Sequence, residues 1–143
     1  MQYLRKEVSA MLDIPARRVQ FYTEQGLLSG FLAETGQGNE RRYSRRNVLE
    51  FAIVKTLSDT GLALANIKWF MNQVLNINGE EKVYNLDHYK NDSWIQLAVY
   101  VPQKQLLIYL YHSELDLQGI ILKNPAAIIV NFQKIYRAIR WID

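Results

Sequence analysis

The chain reads as an α+β protein. Its first half holds four helices and a β-hairpin, and its second half a small antiparallel β-hairpin or sheet and one C-terminal helix. Three observations predict this class. Apolar residues recur at helical spacing between residues 4 and 75, with breaks at Gly26 and Gly61. A glycine-bearing interval at 29–43 separates the second helical run from the third. Beyond residue 93, two runs rich in β-branched and aromatic residues are parted by Pro102-Gln103-Lys104-Gln105.

Each element has its own signal. Leu4, Val8, Met11 and Leu12 predict a first helix over about residues 4–12. Asp13-Ile14-Pro15 makes the turn, and Pro15 suits the start of a second helix from about Ala16 to Gln25. Gly26 suits the position just past its end. Val19 and Tyr22 would face inward, leaving Arg17, Arg18, Gln20 and Phe21 on or near the outer face. Residues 29–43, with Gly30, Gly36 and Gly38, read as a hairpin. Ser44 stands where an N-cap belongs, ahead of a helix over about 45–60 that Gly61 ends. A fourth helix from about Leu64 to Leu75 carries Leu64, Ile67, Met71 and Val74 as its apolar stripe.

Residues 1–75 therefore read as one unit, a helix-turn-helix with a hairpin wing. Residues 76–92 are polar, contain Asn78-Gly79 and read as a connector. Residues 93–143 form a second unit. In it Trp94–Val101 and Leu106–His112 pair, and Gly119–Lys123 is a candidate third strand. Asn124-Pro125 would then cap a helix running to the end of the chain.

Composition narrows the function. At 143 residues, 49% hydrophobic and 22% charged, the chain can hold a core. It has no cysteine, which excludes disulfides and thiolate metal sites. His88 and His112 are the only histidines, so neither a metal nor another cofactor is expected. The N-terminal apolar run carries charges, unlike a signal peptide. No stretch reaches the roughly 20 apolar residues of a membrane span. A cytoplasmic protein with no membrane contact is expected. Enzyme chemistry lacks a nucleophile–base pattern, a phosphate-binding glycine motif and metal-ligand spacing. His112 near Glu114 and Asp116 is the one acid–base cluster, and it reads as a surface turn. Residues 1–75 hold ten Lys/Arg against seven Asp/Glu, whereas residues 76–143 hold seven of each. The positive excess thus sits in the first unit.

That unit carries groups suited to duplex DNA. A helix-turn-helix places its second helix in the major groove. Arg17 and Arg18 can pair with guanine or phosphate, Gln20 can read adenine, and Tyr22 can donate to phosphate. Arg41, Arg42, Arg45 and Arg46 bracket Tyr43 where hairpin meets helix, the densest positive cluster in the chain. Backbone amides at that helix N-terminus would also face an anion. The bland alternative for the four arginines is a solvated face.

In order, Phe21-Tyr22 precedes Gly26-Leu27-Leu28, then comes Arg41-Arg42-Tyr43-Ser44, then Gly61-Leu62-Ala63-Leu64 with Ile67. This series resembles the DNA-binding domain of the MerR family of bacterial transcription regulators, over residues 3–71. The resemblance implies a sequence-specific regulator that binds a two-fold symmetric promoter element as a dimer and distorts it. It puts Arg17 and Arg18 on the recognition helix, and Arg41 and Tyr43 against the DNA backbone. Double-stranded DNA and a second copy are then the partners, with a small apolar effector or RNA polymerase as further candidates. The chain departs from the family at Gln20, usually Arg, at Thr23, usually an acid, and at Ala63, usually Ser. Its wing interval is about two residues longer and carries Glu34 and Glu40. These departures keep two rivals open: a MerR-like protein-interaction adaptor and an excisionase-like DNA-architectural protein.

The second unit suggests pairing and sensing. Ile128, Phe132, Ile135, Ile139 and Ile142 recur at spacings of 4, 3, 4 and 3, the rhythm of a helix seam for dimerisation. The alternative is a helix buried within one chain. Trp94, Tyr100, Tyr109 and Tyr111 could line a pocket for a flat apolar effector, or serve as ordinary core.

Overall fold

The structure is a computed structural model, and it describes residues 2–28, 41–76, 86–90, 96–111, 119 and 123–142. Helices α1 (Arg5–Leu12) and α2 (Ala16–Glu24) form the helix-turn-helix. Asp13 turns the chain between them with φ 54. Pro15 is the N-cap of α2 rather than its first helical residue. Gly26 follows α2 with φ 70, a backbone angle that favours glycine.

Strand β1 (Gln2–Tyr3) pairs antiparallel with β2 (Tyr43–Ser44), setting Tyr3 opposite Tyr43. The end of the wing interval is thereby tied to the start of the chain. The rest of the expected hairpin, residues 29–40, lies outside the described residues. Helix α3 (Arg45–Asp59) follows at once. Ser44 Oγ accepts from Asn47 N at 3.1 Å, and Asn47 Oδ1 accepts from Ser44 N at 3.1 Å. This reciprocal cap satisfies two donors and contributes about 1 kcal/mol. Gly61, with φ 85, ends the helix, and α4 (Leu64–Asn76) begins three residues later.

The second half differs from expectation in two places. Strands β3 (Gln96–Val101) and β4 (Leu106–Tyr111) form the expected hairpin, and Gln105 closes its turn with φ 48. The third strand of this sheet is β5 (Ile128–Asn131), which pairs antiparallel with the other edge of β3. Of the candidate strand Gly119–Lys123, residues 120–122 lie outside the described residues. The long C-terminal helix is replaced by β5 and a short helix, α5 (Phe132–Ala138). Ile128-Ile129-Val130 is a β-branched run, and it finds a strand partner in β3. Asn124-Pro125 opens no helix; Asn131 does, its Oδ1 accepting from Lys134 N at 3.1 Å.

Helix α3 lies at the centre. Every residue from Asn47 to Val54 is buried, so the helix is covered all round. One apolar cluster joins Val8, Val19 and Phe51 with Tyr100, Val130, Phe132 and Ile139. Backbone and side-chain bonds cross the same boundary. Arg140 N donates to Met11 O at 3.1 Å, and the Arg140 guanidinium lies 3.6 Å from the Asp13 carboxylate. The connector joins in too: Tyr89 is buried, its ring 5.4 Å from Tyr136, and its carbonyl accepts from Arg137 Nε at 2.9 Å. The two units read from the sequence therefore share one core. On the opposite sheet face Leu97 and Val99 pack with Ile108 and Ala127. Strand β3 is thus buried on both faces.

Candidate nucleic-acid interface

Helix α2 divides as its periodicity requires. Val19 and Tyr22 are buried, while Arg17, Gln20 and Phe21 are exposed and Arg18 is half-buried. Arg18 is held in place by two residues, Tyr22 and Asp59. Its Nε donates to Tyr22 Oη at 2.8 Å, its guanidinium carbon lies 5.5 Å from the Tyr22 ring centre, and its Nη2 lies 3.7 Å from Asp59 Oδ1. Arg18 thereby ties α2 to the last turn of α3. Gln20 is engaged at both ends of its amide. Its oxygen accepts from Arg5 Nη1, and its nitrogen donates to Glu24 Oε1 at 2.9 Å. Arg5 so joins the exposed face of α2, a neighbour that distance along the chain does not disclose.

Tyr43 is a strut. Its ring is buried, edge-on to Phe51 at 5.3 Å. Thr23 Oγ1 donates to Val19 O at 2.8 Å, so it accepts from the Tyr43 hydroxyl 3.0 Å away. The threonine that stands in place of the usual acid therefore has a partner. This bond holds β2, and the arginines just before it, beside α2. Arg42 is exposed there, and Arg41 and Arg46 are half-buried.

Arg45 points the other way. Its Nη1 donates to Tyr3 Oη at 3.1 Å and its Nη2 to Tyr136 Oη at 3.2 Å. Its guanidinium carbon sits 4.1 Å from the centre of the Trp141 ring. Tyr22, Tyr43 and Arg45, like Arg18 and Gln20 among the residues read as DNA contacts, thus engage their own chain. Arg17, Gln20 and Arg42 remain exposed, and Phe21 stands among them.

The expected seam is divided between elements. Ile128 lies on β5, Phe132 and Ile135 lie on α5, and Ile139 ends that helix. Phe132, Ile135 and Ile139 are buried within the chain; Ile142 is exposed. Tyr100 fills core rather than lining an opening, with its ring stacked on Trp69 at 5.5 Å and edge-on to Phe70 at 5.6 Å. Burial pushes its phenol above the usual value. Register places Tyr109 and Tyr111 opposite Ala98 and Gln96, whereas Trp94 lies outside the described residues. Among the described residues no cluster of His, Asp and Glu could hold a metal ion. No described helix is long and apolar enough to cross a membrane.

Comparison with known proteins adds to this geometry. A family model described as MerR HTH family regulatory protein matches residues 3–74. Comparison with curated proteins gives no match. A solved structure described as HiNmlR, a MerR family regulator lacking the sensor domain, bound to promoter DNA, is similar at 24% identity with a TM-score of 0.47. That likeness covers 61% of this chain and 65% of the other, so it spans less than two thirds of that regulator's length.

Proposed function

The chain belongs to the MerR family of helix-turn-helix regulatory proteins, and from that premise we propose that it is a sequence-specific DNA-binding transcription regulator. The observation that carries the reading is the exposed face of α2, with Arg17, Gln20 and Phe21 outward and Arg42 beside it. In this reading α2 enters the major groove, Arg17 and Arg42 contact phosphate, and α3 presents its N-terminus to the backbone. The Tyr43–Thr23 bond and the Arg18–Asp59 pair position that face. One copy covers one half-site, so two copies occupy a two-fold symmetric element.

Replacing Arg17 and Arg42 together with Ala should weaken binding to every duplex alike. The slope of log affinity against log salt should fall by roughly one unit for each phosphate that is no longer neutralised. A salt titration of wild type and double variant reads both effects. Unchanged affinity with unchanged slope would make these arginines solvated surface and favour the rival reading, a protein-interaction adaptor.

A further inference from the structure

We propose that Phe21 reads thymine, its ring meeting the 5-methyl group of one thymine per half-site. The inference rests on α2 being the recognition helix.

Phe21 is 43% exposed. The other large hydrophobics exposed among the described residues are Leu106, Ile129 and Ile142, all in the second half of the chain. Phe21 is the one aromatic of the four, and it lies on α2. The core does not call on it, because Val19 and Tyr22 already fill the inward face of the helix. Side chains three and four residues apart share a helix face, so Phe21 stands with Arg18 and Arg17. Pro15, Arg17, Arg18 and Phe21 together line one shallow surface groove.

The chemistry of that groove selects its partner. A phenyl ring carries no hydrogen-bonding group, so it cannot serve a phosphate or a base donor or acceptor. In the major groove the C5-methyl of thymine is the apolar mark, and cytosine lacks it. The ring is also steadied before contact: it lies 5.9 Å from the Tyr22 ring, tilted by 53°. Tyr22 is in turn held by Arg18. Arg17 at the rim supplies charge, and Phe21 supplies discrimination.

The test compares thymine with uracil, which keeps every hydrogen-bonding group and loses only the methyl. Duplexes are first selected from a random pool by the wild-type protein. Each thymine in the selected element is then replaced by uracil in turn. Wild type, Phe21→Ala and Phe21→Leu are titrated on every duplex, with thermal melting as the check that the exposed position leaves the fold intact. At one thymine per half-site, uracil should weaken wild-type binding about three- to fivefold, the effect of one buried methyl. At that position Phe21→Ala should bind both duplexes equally, and Phe21→Leu should retain part of the preference. If no position responds to uracil, or if the response persists undiminished in Phe21→Ala, Phe21 does not meet a methyl group. Selective binding would then leave the recognition-helix reading standing. If the pool yields no preferred sequence, that reading fails and the inference falls with it.

Discussion

Phe132→Ala should cost about 3–5 kcal/mol, because it removes a large aromatic side chain from a packed core. Both halves of the chain should weaken together. Phe132 is fully buried at the start of α5, and its cluster reaches α1, α2 and α3. Helix α3 is enclosed on all sides, so a cavity beside it removes cover that the helix-turn-helix depends on. Denaturant unfolding followed by fluorescence and by circular dichroism should give one coincident transition at lower denaturant. Amide exchange in α3 should speed up by the same free energy as global unfolding. A variant in which residues 3–75 keep wild-type protection would show that the helix-turn-helix is stable without its neighbour.

Arg45→Ala should cost about 2–3 kcal/mol, combining charge-assisted hydrogen bonds with a partly shielded cation–π interaction. The change removes the hydrogen bonds that Arg45 donates to Tyr3 and Tyr136 and its contact with the Trp141 ring. These residues come from the first strand, the last helix and the tail, so the guanidinium clasps both ends of the chain to α3. The salt dependence of DNA binding should keep its wild-type slope. Chemical denaturation paired with a salt titration separates the two roles. A variant of unchanged stability whose slope drops by about one unit would place Arg45 on phosphate instead.

These two residues also mark what the sequence discloses. Local signals suffice in the first half. The helical spacing of Val8, Met11, Val19 and Tyr22 locates α1 and α2, the Ser44 hydroxyl marks the start of α3, and Gly26 and Gly61 stand at left-handed turns. Nothing local separates Arg45 from Arg42. What separates them is a tyrosine 91 residues further on. The C-terminal rhythm misleads for a related reason. Ile128, Phe132, Ile135 and Ile139 fit a helix seam, yet the first of them pairs with β3 and the cap at Asn131 restarts the chain. Four residues of strand are too few for alternation to outweigh a helical period, and strand pairing is a property of the partner strand. For the candidate interface, residue type singles out Arg17, Arg42, Tyr43 and Arg45 alike; the structure leaves Arg17 and Arg42 exposed, while inward hydrogen bonds engage Tyr43 and Arg45.

Footprinting of the chain on genomic DNA at physiological salt tests the central claim most directly. Wild type should protect a small number of discrete, two-fold symmetric elements, and the Arg17→Ala, Arg42→Ala variant should protect none of them at the same concentration. Uniform weak coverage, or no protection at any concentration that keeps the protein soluble, would contradict a sequence-specific regulator acting through the exposed face of α2.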